Sequence, residues 1–134
     1  MQRRRTRKTR SQKRDVVLER TLELKRKTKV QPLRVRMYRP DPDPLSNHGD
    51  WRCVFEVVGL PRRKSFIRAA YGVDPMQAFL MAFQKLRFEL MMLQDDGLAI
   101  TWLGMKDLGI PSTVEHEMSL SEWRRKRSKR QPKL

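Results

Sequence analysis

Hydrophobic residues recur with two different periods along this chain, and the change of period divides it into elements. Val16, Leu18, Leu22 and Leu24 fall at even spacing, which predicts a strand, although Glu19, Arg20, Glu23 and Lys27 would also suit an amphipathic helix. Leu33, Val35 and Met37 alternate with Arg34 and Arg36, and Arg39 follows. This predicts a half-buried strand with a row of guanidinium groups on its solvent face, ended by Pro40. Pro40 to Asp50 carries three prolines, an Asn and a Gly, the composition of a surface loop with solvated acids. Trp51, Cys53, Phe55 and Val57 then alternate again and predict a strand whose aromatic face meets the core. Gly59 to Lys64 reads as a turn and Ser65 to Tyr71 as the returning strand of a hairpin, with Arg62, Arg63 and Lys64 at its tip.

At Asp74 the period changes to that of a helix. Asp74 at the N-cap, Pro75 at the first helical position and Gln77 three residues on form a capping box with proline. Met76, Phe79, Leu80, Phe83, Leu86, Leu90 and Leu93 predict one apolar stripe facing the sheet. On that reading Phe83→Ala removes a core side chain and costs about 3 to 5 kcal/mol. Asp95-Asp96-Gly97 stops the helix, Leu98 to Leu103 is a short strand, and Gly104 to Pro111 is irregular. Ser119 and Glu122 could cap a last helix whose body is Trp123 to Arg130, with Trp123 as its anchor on the fold. The fold class expected is α+β, a small antiparallel sheet packed by one main helix.

Charge changes the picture. Of +16 net over 134 residues, +13 lies in residues 1–40 and +4 in residues 113–134, while residues 41–50 carry −3 and residues 51–112 only +2. Residues 1–14 have no apolar side chain after Met1 and are expected to be a disordered basic arm. A single α+β domain over residues 15–112 and a basic C-terminal arm over 113–134 complete the expected organisation. Cationic arms on a nearly neutral body point to a polyanion, of which nucleic acid is the commonest.

The basic residues fall into five runs: Arg3, Arg4, Arg5, Arg7, Lys8 and Arg10; Lys25-Arg-Lys27 with Lys29; Arg34, Arg36 and Arg39; Arg62, Arg63 and Lys64; and Arg124, Arg125, Lys126, Arg127, Lys129 and Arg130. Twenty of the thirty-one bases are Arg, whose planar fork suits bidentate phosphate contact. The residues assigned to nucleic-acid docking are those of the first, third and fourth runs, with Arg124, Arg125, Lys126, Arg127 and Arg130 of the last. Phosphate contact is expected to dominate over base reading, because the best helix spends its face on packing.

Other chemistries find little support. His48, Asp50 and Cys53 form the nearest approach to a metal-ligand group, yet Cys53 is placed on a core face and His48 in a turn. His116 lies between Glu115 and Glu117 with no nucleophile motif near it, and neither a P-loop nor G-x-G-x-x-G occurs. No catalytic residue and no cofactor is therefore expected. No apolar run approaches the roughly 20 residues that cross a membrane, and the Arg-rich start lacks a signal-peptide core. A single cysteine excludes an intramolecular disulfide, and a cytoplasmic setting is expected.

The middle of the chain, Asp50-Trp-Arg-Cys53, then Ala70 to Phe79 with its Gly-Val-Asp-Pro-Met-Gln-Ala segment, then Gly97 to Gly104, resembles a family of short bacterial domains of unknown function. The resemblance covers about Val30 to Pro111, implies a small antiparallel sheet packed by one main helix, and brings no catalytic residue; the long arms depart from the compact family pattern. The function expected is thus a non-enzymatic module docking on RNA or DNA, within a larger nucleoprotein assembly or alone. The alternatives are a small inhibitor or immunity-type protein that binds an acidic protein partner, and a ribosome-associated component.

Overall fold

The computed structural model describes residues 15–111 and, beyond them, Arg125; the side chain of Arg63 is not described. Expectations for the N-terminal arm, for Ser119 to Trp123 and for His116 lie outside the described residues. The first two strands, β1 (Val16–Arg26) and β2 (Lys29–Tyr38), form a long antiparallel hairpin closed by the pair Arg26 and Lys29. Only Lys27 and Thr28 remain in the turn, and Lys27 adopts φ 55°, the left-handed conformation that tight hairpin turns require. The alternation therefore resolves as strand, and the helical alternative for residues 16–25 falls away.

β3 (Asp41–Pro42) and β5 (Phe66–Gly72) both pair with Trp51 and Arg52 of β4 (Trp51–Val58), so they lie on opposite edges of it. β3 thus prolongs β2 along one edge of β4. Met37 pairs with Phe55 and Asp41 with Arg52, which leaves one extra residue on the β2 side. That bulge falls at Arg39 and Pro40, where proline has no N–H to give a ladder. After α1 (Pro75–Asp95) crosses the sheet, β6 (Ala99–Thr101) pairs with the far side of β1. The result is a six-stranded antiparallel sheet with one helix on one face, the expected α+β class.

The core forms between helix and sheet. Leu22, Leu24, Leu33, Val35, Met37, Cys53, Phe55 and Val57 project from the sheet onto Ala78, Ala82, Leu86 and Leu90 of α1. This i+4 row corrects the expected stripe: Met76 is 74% exposed and Leu80 44%, while Phe79 and Phe83 are half-buried. The physical reason is closeness. A Cβ at Gly72 would lie 2.4 Å from the Ala78 amide nitrogen, so only small side chains fit beneath the first turns of the helix. The larger aromatics flank the contact, with Phe79 and Phe83 edge to face at 5.0 Å.

The helix start is close to the expected box. Asp74 accepts the Gln77 amide at 2.7 Å, but the Gln77 side chain accepts from the Val73 amide (2.8 Å), one residue before the cap. Beyond β6 the irregular segment is tied down by Arg20, which sits on the core side of β1. Its guanidinium stacks 3.9 Å from the Trp102 ring centroid and donates to the Leu108 carbonyl at 2.7 Å.

Candidate nucleic-acid interface

Strand pairing decides which cations are available. Arg36 lies in register between Glu19 of β1 and Glu56 of β4, 3.4 Å from each. The Glu19 carboxylate, with Glu56 adding to it, pushes the Arg36 pKa up. Arg39 meets Asp15 at 3.6 Å across the start of the hairpin. The expected row of solvent-facing guanidinium groups is therefore broken: Arg36 is partly covered and neutralised, and Arg39 shares its charge. The linear pattern hid this because the acids come from strands far away in sequence. Arg34 differs, since its cross-strand neighbours are Thr21 and Val58, and it remains exposed.

The acids of the Pro40 to Asp50 loop are likewise engaged rather than merely solvated. Asp41 takes a two-pronged bond from Arg52 (2.9 and 3.0 Å), and that bond raises the Arg52 pKa. Asp50 accepts from the Ser46 hydroxyl at 2.8 Å and Asp43 from the Leu45 amide at 3.1 Å. Strand pairing puts Asp41, Asp43 and Asp50, with Asp74 at the helix start, toward the end of the sheet where β2 finishes and β4 begins.

The opposite end is basic. The β1–β2 hairpin carries Lys25, Arg26, Lys27 and Lys29 within five residues, all exposed, with no ion pair to an acid among the described residues. Arg26, Lys27, Thr28, Lys29 and Gln31 line a shallow concavity of about 300 Å³ at this tip. The β4–β5 connection sits at the same end, because Gly59 packs on the backbone of Pro32; a Cβ there would lie 2.7 Å from the Pro32 oxygen. A 3-10 turn over Pro61–Arg63 follows, and Arg62 and Lys64 are exposed on it, Arg62 with φ 60°. Glu23, the nearest acid on β1, is spent on the Thr101 hydroxyl (3.1 Å) and the Gly104 amide (2.9 Å). Asp95 and Asp96 close the helix on the other layer.

Of the residues assigned to docking, Arg34, Arg62 and Lys64 thus share the basic end. Arg36 and Arg39 are paired with acids, and Arg125 is exposed. Arg3, Arg4, Arg5, Arg7, Lys8, Arg10, Arg124, Lys126, Arg127 and Arg130, with the side chain of Arg63, lie outside the described residues. Lys25, Arg26, Lys27 and Lys29, a basic run not assigned to docking, form the densest exposed cationic element of the described residues. Two residues between alternating runs signal a hairpin, but Lys27-Thr28 lacks the Asn-Gly or Asp-Gly chemistry that marks one in sequence.

Cys53 is buried, donates to the Tyr38 carbonyl at 3.4 Å, and its thiol is pushed up to about 12, by burial first and the Asp41 charge second. His48 stands exposed in its turn. Among the described residues no three His, Cys, Asp or Glu side chains converge as a metal site, and no helix is long and apolar enough to cross a membrane. A family model described as a domain of unknown function (DUF6968) matches residues 18–112 of the chain. Neither the curated proteins nor the solved structures give a match.

Proposed function

We propose that this chain, which belongs to the DUF6968 family of domains of unknown function, is a non-enzymatic binding module that docks on duplex RNA or DNA through phosphate contacts. The observation that carries this reading is the hairpin tip, where four exposed cations crowd a two-residue turn with no ion pair to an acid among the described residues. Such crowding gains nothing for stability, since like charges repel, whereas a phosphate backbone relieves the repulsion and releases counterions. Arg34, Arg62 and Lys64 widen the same footprint. The basic segments 1–14 and 113–134 add charge that tracks the backbone. The test is a salt titration of binding to a fluorescent 20-base-pair duplex. Affinity is expected to fall steeply between about 50 and 200 mM salt, and a flat response overturns the reading.

A further inference from the structure

β5 is an outer strand: β4 lies along one edge, and no strand of the described residues lies along the other. Its open side is nonetheless occupied. Lys85 of α1 donates to the Ala69 carbonyl at 2.9 Å, and Arg68 donates to the Ile67 carbonyl at 3.1 Å. Residues two apart project their carbonyls to the same side of a strand, so two cationic side chains stand where the amides of a neighbouring strand would donate. Lysine placed this way keeps an edge from pairing indiscriminately.

Alongside the edge runs a groove of about 690 Å³ between β5 and α1, lined by Tyr71, Met81, Phe88 and Met91 with Lys85 and Arg87. Phe88 is 62% exposed and Met91 47%. Methionine and aromatic side chains in such a groove adapt to varied apolar guests.

We propose that the β5 edge and this groove form a docking site for an extended acidic segment of a partner protein, added to the sheet as a further strand. The guest's amides take over the Ile67 and Ala69 carbonyls, and its alternate apolar side chains enter the groove. Lys85 and Arg68 are then released from backbone oxygen. Covered by a guest strand, they need new acceptors, and carboxylates of the guest supply charge-assisted ones. Arg68 already holds Glu89 at 3.4 Å, which shows the geometry such a contact takes. A second copy fits poorly, because edge-to-edge pairing would press Lys85, Arg68 and Arg87 of both copies together on a chain of net charge +16. Nucleic acid fits poorly too, since a phosphate backbone offers neither amide donors nor apolar side chains to this edge. The hairpin tip belongs to β1 and β2, so this site is separate from the phosphate footprint and stands or falls without it.

The experiment uses the full chain and two fluorescein-labelled decapeptides, one of alternating Glu and Val, the other of alternating Lys and Val. The Glu–Val peptide is expected to bind and to shift the backbone NMR signals of Ile67, Ala69 and Tyr71. Lys85→Glu and Phe88→Ser, both at exposed positions, are each expected to weaken binding by roughly tenfold or more while the melting temperature holds. Equal affinity for the two peptides would mean that guest charge is not read at this edge, and shifts confined to Lys25–Lys29 would mean unspecific charge attraction to the chain's net +16; either result overturns the proposal. So does unchanged affinity in Lys85→Glu, or dimerisation of the free chain that moves the same β5 signals.

Discussion

Replacing Lys25, Arg26 and Lys29 by Gln and Lys27 by Asn removes the charge of the hairpin tip while keeping its turn, because Asn tolerates the left-handed backbone found at residue 27. All four side chains are exposed and none is in an ion pair among the described residues, so the melting temperature is expected to stay level or rise slightly. Binding is another matter. Each phosphate neutralised contributes about 0.9 to the slope of log affinity against log salt on B-form DNA, so four lost contacts flatten the slope by about 3.6. Between 50 and 200 mM salt, the advantage of the unaltered protein over the variant then shrinks by a factor of about 150, or about 12 if only two cations touch phosphate. Fluorescence anisotropy at four or five salt concentrations measures both slopes, with circular dichroism confirming that the variant is folded. Parallel lines for the two proteins would refute the assignment of the tip to phosphate contact, even if the absolute affinity dropped.

Core and scaffold predictions follow from burial. Leu90 is fully buried against the sheet, so Leu90→Ala is expected to cost about 3 kcal/mol in chemical denaturation. Phe83, half-buried on the wall of a cavity of about 250 Å³, should cost only about 1 to 2 kcal/mol on truncation; a larger loss than for Leu90 would contradict the observed packing. Gly72→Ala puts a methyl 2.4 Å from the Ala78 nitrogen and is expected to lower stability by about 2 kcal/mol or more, read as a shifted denaturation midpoint. Cys53 should resist iodoacetamide at pH 8 until the protein unfolds, since burial holds its thiol protonated. With the thiol raised from 9.0 to about 12, its contribution to stability is full below pH 9 and lost as pH rises toward 12. Fast labelling of the folded protein, or stability rising over that interval, would contradict this.

Much of the architecture was legible in the residues themselves. Strands show a period of two and helices one of 3.6, and Asp74 with Pro75 marks the helix start by chemistry local to a few residues. Charge segregation into basic ends is likewise a property of the linear chain. What only the tertiary structure decided is which side chains meet. Glu19 and Glu56 neutralise Arg36 because register sets them beside it, and no local pattern encodes a partner on another strand. Ala78 and Ala82, not Met76 and Leu80, face the sheet because Gly72 draws the helix close, a steric fact invisible to periodicity. The hairpin gathers Lys25 to Lys29 into one exposed tip at the end shared with Arg62 and Lys64. Lys85 reaches the Ala69 edge only because α1 lies over β5. Hydrophobic period is read one element at a time, whereas charge pairing, close packing and strand edges depend on the arrangement of elements in space.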